Sequence, residues 1–323
     1  MSDGFFTRLW PRVVAFGRRV QKPARFALLA LVVWKLWHAL NAIGWGAMVR
    51  NLPVQPWFYV IFLINYLTLS FYETIIYHWL WHTGPSVLPA LLRKRVYNDT
   101  VLEYSGETAL FVWASEHTHI PEGQVFRNVR DVNILSALLA NLVTFLLLVA
   151  VIVGLPDALG VHNTMLLRRG LMMSGGIVLV LLVLAVVFRK RFLALSPGKI
   201  AGISGLHTLR LLTCMGLQAL QWHVAVPQLG WQTWVLFTGL QMAVSRIPLL
   251  PAKDLFFAGL AISLVRPLHL DGQITPAIIA GLFVGSSGLS LLVNGGMYVV
   301  GHMFKLKVPP HPHMPPLMDN PVE

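Results

Sequence analysis

The chain has 323 residues, 56% of them hydrophobic and 12% charged, with a formal net charge of +12. Soluble chains carry about 25% charged residues, so this composition excludes a water-soluble globule, a disordered chain and a nucleic-acid binder, and points to lipid as the solvent. A single cysteine, Cys214, excludes a disulfide framework, a four-cysteine zinc site and an iron–sulfur cluster.

Residues 1–25 hold Arg8, Arg12, Arg18, Arg19, Lys22 and Arg25 with Phe5, Phe6, Trp10 and Phe16 between them. This pattern suits an interfacial helix against anionic headgroups rather than a cleaved signal peptide. A span needs about 20 mostly apolar residues, and residues 26–304 read as one transmembrane domain. The first two spans are Phe26 to Met48 and Trp57 to Trp81, joined by a loop with Asn51, Pro53 and Pro56. Basic residues flank this pair at the amino terminus and at Arg93-Lys94-Arg95, which predicts a cytoplasmic amino terminus.

Two further spans are predicted at Asn133 to Leu155 and Leu171 to Phe188, the latter followed by Arg189-Lys190-Arg191. Arg168 and Arg169 in the loop between them run against this orientation. A fifth span, Ser204 to Val226, contains Arg210. The sixth, Ile274 to Met303, is expected to break or pack closely at Gly285-Ser286-Ser287-Gly288. Residues 305–323 hold six prolines, five of them before Asn320, and read as an extended, disordered tail, with a cytoplasmic carboxyl terminus.

Two apolar stretches do not suit simple crossing. Asn98 to Arg130 joins an amphipathic piece to a short apolar run, Thr108 to Ala114. Trp231 to Val265 is two short runs split by Ser245-Arg246-Ile247-Pro248-Leu249-Leu250-Pro251-Ala252-Lys253-Asp254. Charges and prolines there must face protein or water. Both stretches read as re-entrant or broken hairpins entered from opposite faces, the sequence pointer to an inverted-repeat transporter, although no residue-level repeat is visible. The expected fold is therefore all-α and polytopic, with six full spans and two hairpins.

Asn98 and Gly106-Glu107, then Arg127-Asn128-Val129-Arg130-Asp131, and later Pro248-Leu249-Leu250-Pro251 occur in the order seen in the lysylphosphatidylglycerol synthase transmembrane family. The chain resembles that flippase-like family over roughly Trp57 to Met303 in architecture. It departs from the family in lacking the glycine-rich run and the acidic residue after the second proline, where Ala252-Lys253-Asp254 stands. Headgroup specificity therefore does not transfer. No aminoacyl-transfer domain follows the membrane part, so the resemblance implies only a translocation-type role.

Glu73 and Lys35 fall inside predicted spans, where a charge costs about 2.5–3.5 kcal/mol on insertion scales, so each is expected to face the bundle and the two could pair. Arg210 with His207, and Arg246 with Lys253, place positive charge near the second hairpin, suited to the phosphate of an anionic phospholipid or polyprenyl-phosphate headgroup. The plain alternative is that Arg246 pairs with Asp254 or Glu107 to close the structure. The substrate-binding candidates are Glu73, Asn98, Gly106, Glu107, Arg130, Asp131, Arg210, Arg246, Pro248, Pro251, Lys253 and Asp254. In the expected groove, Arg246, Lys253 and Arg210 hold a phosphate while Glu73 and Glu107 accept a headgroup cation or proton.

His78 and His82 share a helix face by their spacing, and His117 and His119 lie beside Glu116 and Glu122. They define an alternative, a membrane-embedded metal enzyme acting on a lipid, although such enzymes use more histidines than this. A third reading makes the chain a structural subunit of a membrane complex. Walker loops, Gly-x-Ser-x-Gly elbows and dinucleotide fingerprints do not occur. The sequence thus predicts a transporter-like protein of a bacterial cytoplasmic membrane rather than an enzyme. Its expected partners are membrane lipids, anionic ones above all, with no cofactor and no nucleic acid; a homo-oligomer or a membrane-protein partner stays open.

Overall fold

The computed structural model describes residues 40–100, 105–154, 193–246, 252–265 and 274–303, with scattered positions from 30 to 38 and residues 250 and 270. The basic amino-terminal segment, Lys35, the span predicted at Leu171 to Phe188, Pro248, Pro251 and the proline-rich tail lie outside the described residues. Among the described residues every regular element is helical: α1 (Trp45–Arg50), α2 (Pro56–Trp81), a 3₁₀ turn at Gly84–Val87, α3 (Leu88–Thr100), α4 (Ser105–His117), α5 (Glu122–Gly154), α6 (Pro197–Ala225), α7 (Trp231–Ser245), α8 (Lys253–Leu264) and α9 (Pro276–Met303).

Proline and left-handed residues set several of these boundaries. Pro56, Pro197 and Pro276 open α2, α6 and α9, where the missing N–H is no loss and the fixed φ suits a helix start. At the other end of α2, His82 adopts φ 54° and Gly84 φ 63°, so the chain turns out of the helix and re-enters as the 3₁₀ turn and α3.

Helices α2, α5, α6 and α9 are long and apolar enough to cross a membrane, over Pro56–Trp81, Glu122–Leu147, Pro197–Ala225 and Pro276–Val299. No more than 33% of the residues in their most apolar stretches are buried, and the outward residues include Trp57, Leu63, Ile64, Phe71, Leu291 and Leu292. So much exposed apolar surface requires an apolar surrounding, and these four helices make the chain a membrane-embedded type of protein. Four of the six predicted spans thus appear as helices or parts of helices. One detail differs: α9 runs unbroken through Gly285-Ser286-Ser287-Gly288, and the hydroxyls of Ser286 and Ser287 donate to the carbonyls of Leu282 and Phe283 within the helix.

The chain divides into two compact units. The first comprises Met1–Phe62, Val143–Gly175 and Met215–Gly288; the second comprises Leu63–Leu142, Gly176–Cys214 and Leu289–Glu323. In the first, Trp222, Trp234, Phe237, Phe257 and Phe283 form an aromatic core, with ring centroids 4.9 Å apart for Trp222–Phe283 and for Phe257–Phe283. Such pairs contribute roughly 0.5–1.5 kcal/mol each beyond burial. Gly281 of α9 lets the backbone at Asn51 approach so closely that a Cβ would collide with its carbonyl, and at Gly285, where close packing is expected from sequence, a Cβ would stand 2.8 Å from Leu52 Cδ2. The hairpin of this unit is α7 and α8, as predicted for Trp231 to Val265.

In the second unit Ile76, Tyr77, Leu80 and Trp81 pack with Leu91, Leu110, Val125, Val129 and Ile203. Its hairpin is α3 and α4, and this corrects the boundaries expected from sequence. The hairpin starts at Leu88 rather than Asn98, taking in Arg93-Lys94-Arg95, and it ends at His117; Arg130 and Asp131 belong to α5. The two hairpin helices touch where Gly106 meets the turn of α3 above it: a Cβ there would overlap the Lys94 carbonyl and stand 2.8 Å from Asn98 Oδ1.

Gly106→Ala is therefore expected to destabilise the protein by about 1–3 kcal/mol, the usual cost of overpacking, whereas Gly288→Ala, inside α9 and with nothing within 4 Å of its methyl, keeps stability or raises it by up to about 1 kcal/mol, since alanine suits a helix interior better than glycine. Thermal unfolding of both variants in detergent checks this; equal melting temperatures would show that α3 and α4 are not in backbone contact.

Candidate functional site

The second unit contains a buried cluster of charged and polar side chains. Ser70, Glu73 and Tyr77 sit at helical spacing on one face of α2; α3 adds Lys94 and Asn98, α4 adds Glu107, and α6 adds His207 and Arg210. Glu73, Lys94 and Arg210 are each less than a tenth exposed, and Ser70, Tyr77 and His207 are fully buried.

Lys94 holds the cluster together. Its Nζ donates to Glu73 Oε1 at 2.7 Å and lies 3.6 Å from Glu107 Oε1. Arg210 acts on Glu73 electrostatically and donates from Nη2 to Ser136 Oγ at 3.0 Å. His207 feels Glu73, Arg210 and Lys94. Two cations thus stand against two carboxylates, a balanced set, which is the condition under which charges persist away from water.

Asn98 joins the hairpin to this cluster. Its Oδ1 accepts the Gly106 N–H at 2.7 Å and its Nδ2 donates to Glu107 Oε1 at 3.2 Å. The separated motif of Asn98 with Gly106-Glu107 is therefore one physical unit, in which the amide side chain pins the start of α4 and orients the carboxylate beside Lys94.

Several buried polar atoms have no hydrogen-bond partner among the described residues: Ser70 Oγ, Tyr77 Oη and Glu107 Oε2, while His207 interacts with the Val132 backbone. An unmet buried donor or acceptor costs about 1–3 kcal/mol. Such atoms on three residues of one cluster mark it as a place with hydrogen-bonding capacity to spare, unlike a closed structural ion pair.

A second network secures the other side of α3. Arg95 donates to the Tyr66 carbonyl, its guanidinium lies 3.9 Å from the Tyr66 ring centroid, and its Nε is 3.6 Å from Asp99 Oδ2. Asn294 of α9 donates to Asp99 Oδ2 at 3.3 Å and accepts from the Tyr66 hydroxyl at 2.5 Å. The basic triplet is thus divided by helix geometry: Arg93 is exposed against Tyr97, Lys94 is buried, and Arg95 is bound to α2.

The remaining expected site residues have structural surroundings. Asp131 is fully buried; its Oδ2 accepts the N–H groups of Ala194 and Leu195 at 2.6 and 3.2 Å, and its Oδ1 accepts from Arg130 at 2.8 Å. It fastens the segment entering α6 to α5. Arg246, Lys253 and Asp254 belong to the first unit, where Lys253 Nζ donates to the Ser245 carbonyl at 3.0 Å and so caps α7, and Asp254 lies in the first turn of α8. Arg210, expected from sequence to act with Arg246 and Lys253, lies in the Glu73 cluster. The expected partner of Glu73, Lys35, lies outside the described residues, and the carboxylate is taken by Lys94.

Among the described residues, His78, His82 and His117 do not converge. His78 Nδ1 accepts from the Gly84 N–H, His82 is exposed past the end of α2, and His117 stacks on Trp113 with Nδ1 at 2.8 Å from its carbonyl. Among the described residues no three His, Cys, Asp or Glu side chains are placed to hold a metal ion.

No family model, characterised protein or solved structure matches the chain.

Replacing one partner of a buried pair leaves a lone charge, at a cost of about 3–5 kcal/mol, whereas replacing both with apolar groups is close to neutral. Lys94→Met or Glu73→Leu alone should therefore lower thermal stability sharply, and the double variant should recover most of the loss. Additive losses in that cycle would show that the two side chains do not interact.

Proposed function

We propose that the chain is a transporter-type protein of a bacterial cytoplasmic membrane that binds and translocates lipids by their headgroups. The observation that carries this reading is the buried cluster of Glu73, Lys94, Glu107 and Arg210 with its unpartnered polar atoms. Ionisable groups inside a membrane protein are expensive and gather along substrate pathways. Here they are presented by a hairpin of two 13-residue helices, each too short to span and therefore able to end beside the cluster rather than beyond the bilayer.

In the proposed architecture the four observed long helices are joined by the predicted spans at Phe26 to Met48 and Leu171 to Phe188, and both termini are cytoplasmic. Each compact unit has one short-helix hairpin, which supports reading the chain as two related halves, and supports the resemblance to the lysylphosphatidylglycerol synthase transmembrane family. The lipid headgroup enters the cluster of the second unit while the acyl chains stay in the bilayer. Asn98 and Asp131 act as positioning residues, the first through Glu107 and Gly106, the second through the approach to α6.

Reconstitution into liposomes with fluorescent phospholipids and an impermeant quencher tests this. Wild-type protein is expected to expose inner-leaflet lipid to the quencher, and Arg210→Gln to slow that by about tenfold or more, equivalent to about 1.4 kcal/mol of barrier; Arg93→Gln, at an exposed position, keeps the wild-type rate. Wild-type protein that moves no lipid, or a folded Arg210→Gln protein that moves it at full rate, would refute the proposal.

A further inference from the structure

We infer that the ligand of this cluster is a zwitterion, carrying an oxyanion and an ammonium group together, rather than the anionic headgroup that the basic residues of the sequence suggest. The inference rests on reading the cluster as a headgroup site and names the substrate class of that site.

Arg210 lies with Lys94, Glu73 and Glu107, two cations against two carboxylates. Two further ion pairs of the same unit, Arg95 with Asp99 and Arg130 with Asp131, are also balanced. A ligand of net charge −1 would leave an uncompensated charge in a site that is almost wholly buried, the costliest arrangement in a low-dielectric interior. A ligand that carries both signs leaves the total unchanged.

The arrangement also separates the two signs. Glu107 Oε2 has no hydrogen-bond partner among the described residues and is the natural acceptor for an ammonium. Arg210, with its planar fork of donors, is the natural partner of an oxyanion. Lys94 stands between the carboxylates at 2.7 and 3.6 Å, the longer of these contacts being the one an incoming ammonium would replace. Lys94 then stays with Glu73, and its remaining donors turn toward the oxyanion. Tyr77 Oη and Ser70 Oγ, fully buried and unpartnered among the described residues, supply the neutral hydrogen bonds that a desolvated headgroup needs.

Phosphatidylethanolamine in a bilayer and a soluble amino-phosphate zwitterion share this chemistry, and the experiment separates them. Native mass spectrometry of the delipidated protein with equal amounts of phosphatidylethanolamine and phosphatidylglycerol measures binding; fluorescent analogues of the same lipids in proteoliposomes measure movement. Retention and rate should favour phosphatidylethanolamine by at least about tenfold. Glu107→Gln, which makes the cluster net positive, should shift both ratios toward phosphatidylglycerol by a similar factor, without requiring that the variant keep the wild-type rate. Displacement of the bound lipid by equimolar glycerophosphoethanolamine would assign the site to a soluble zwitterion; no displacement assigns it to the lipid. Equal retention of the two lipids, or a ratio that Glu107→Gln does not change in a folded protein, would overturn the inference. Loss of movement for every lipid with the binding preference intact would refute translocation and leave the ligand class standing.

Discussion

The contact between Lys94 and Glu73 is the constraint on which the second unit depends. A lysine in the α3 helix of a short hairpin and a glutamate in a long apolar helix each carry a charge that the surroundings cannot solvate, and each is tolerable only because the other is 2.7 Å away. The pairing fixes where the hairpin sits against α2. Once Lys94 is placed, Asn98 lies one turn further along α3, where it reaches the amide of Gly106 and the carboxylate of Glu107. The absence of a side chain at Gly106 then lets α4 close onto α3.

The same geometry explains why a membrane protein would tolerate short helices at all. A helix end leaves backbone groups unpaired, which is ruinous in hydrocarbon and acceptable beside polar side chains. In the second unit the end of α3 and the start of α4 are served by Asn98, and Ser105 Oγ donates to the Tyr97 carbonyl at 2.9 Å. In the first unit Lys253 serves the end of α7. Lys94 of α3 and Glu107 of α4, by contrast, meet other charges in the interior, and Glu107 Oε2 keeps spare hydrogen-bonding capacity among the described residues.

Much of this is legible in the sequence, for identifiable reasons. Length and hydropathy locate α2, α5, α6 and α9, because a span leaves a signal of many residues. Glu73 and Arg210 stand out as charges within apolar runs, and Asn98 with Gly106-Glu107 stands out as a motif; the structure brings these together. Lys94 escapes a reading from sequence because it lies between two arginines, and a basic triplet reads as a cytoplasmic flank. Helical geometry separates the three, since consecutive residues are turned about 100° apart, and the signal that reveals it is the spacing of Lys94 and Asn98 on one face. Ser70 and Tyr77 carry no comparable signal, since hydroxyl residues are ordinary in apolar helices until a charge is known to share their face. Lys253 stands out from sequence only as a charge near a proline turn; that its Nζ reaches the Ser245 carbonyl at the end of α7 needs the three-dimensional position of that carbonyl.

The central claim is that Lys94 lies inside the protein and not in water with its basic neighbours. Lysine acylation of the wild-type protein in lipid nanodiscs, followed by peptide mass spectrometry, tests it without any substitution. Lys94, 4% exposed, is expected to remain unmodified under conditions that label Lys199, which is partly exposed near the start of α6. Labelling of Lys94 at a rate matching Lys199 would place it in solvent and contradict the buried cluster.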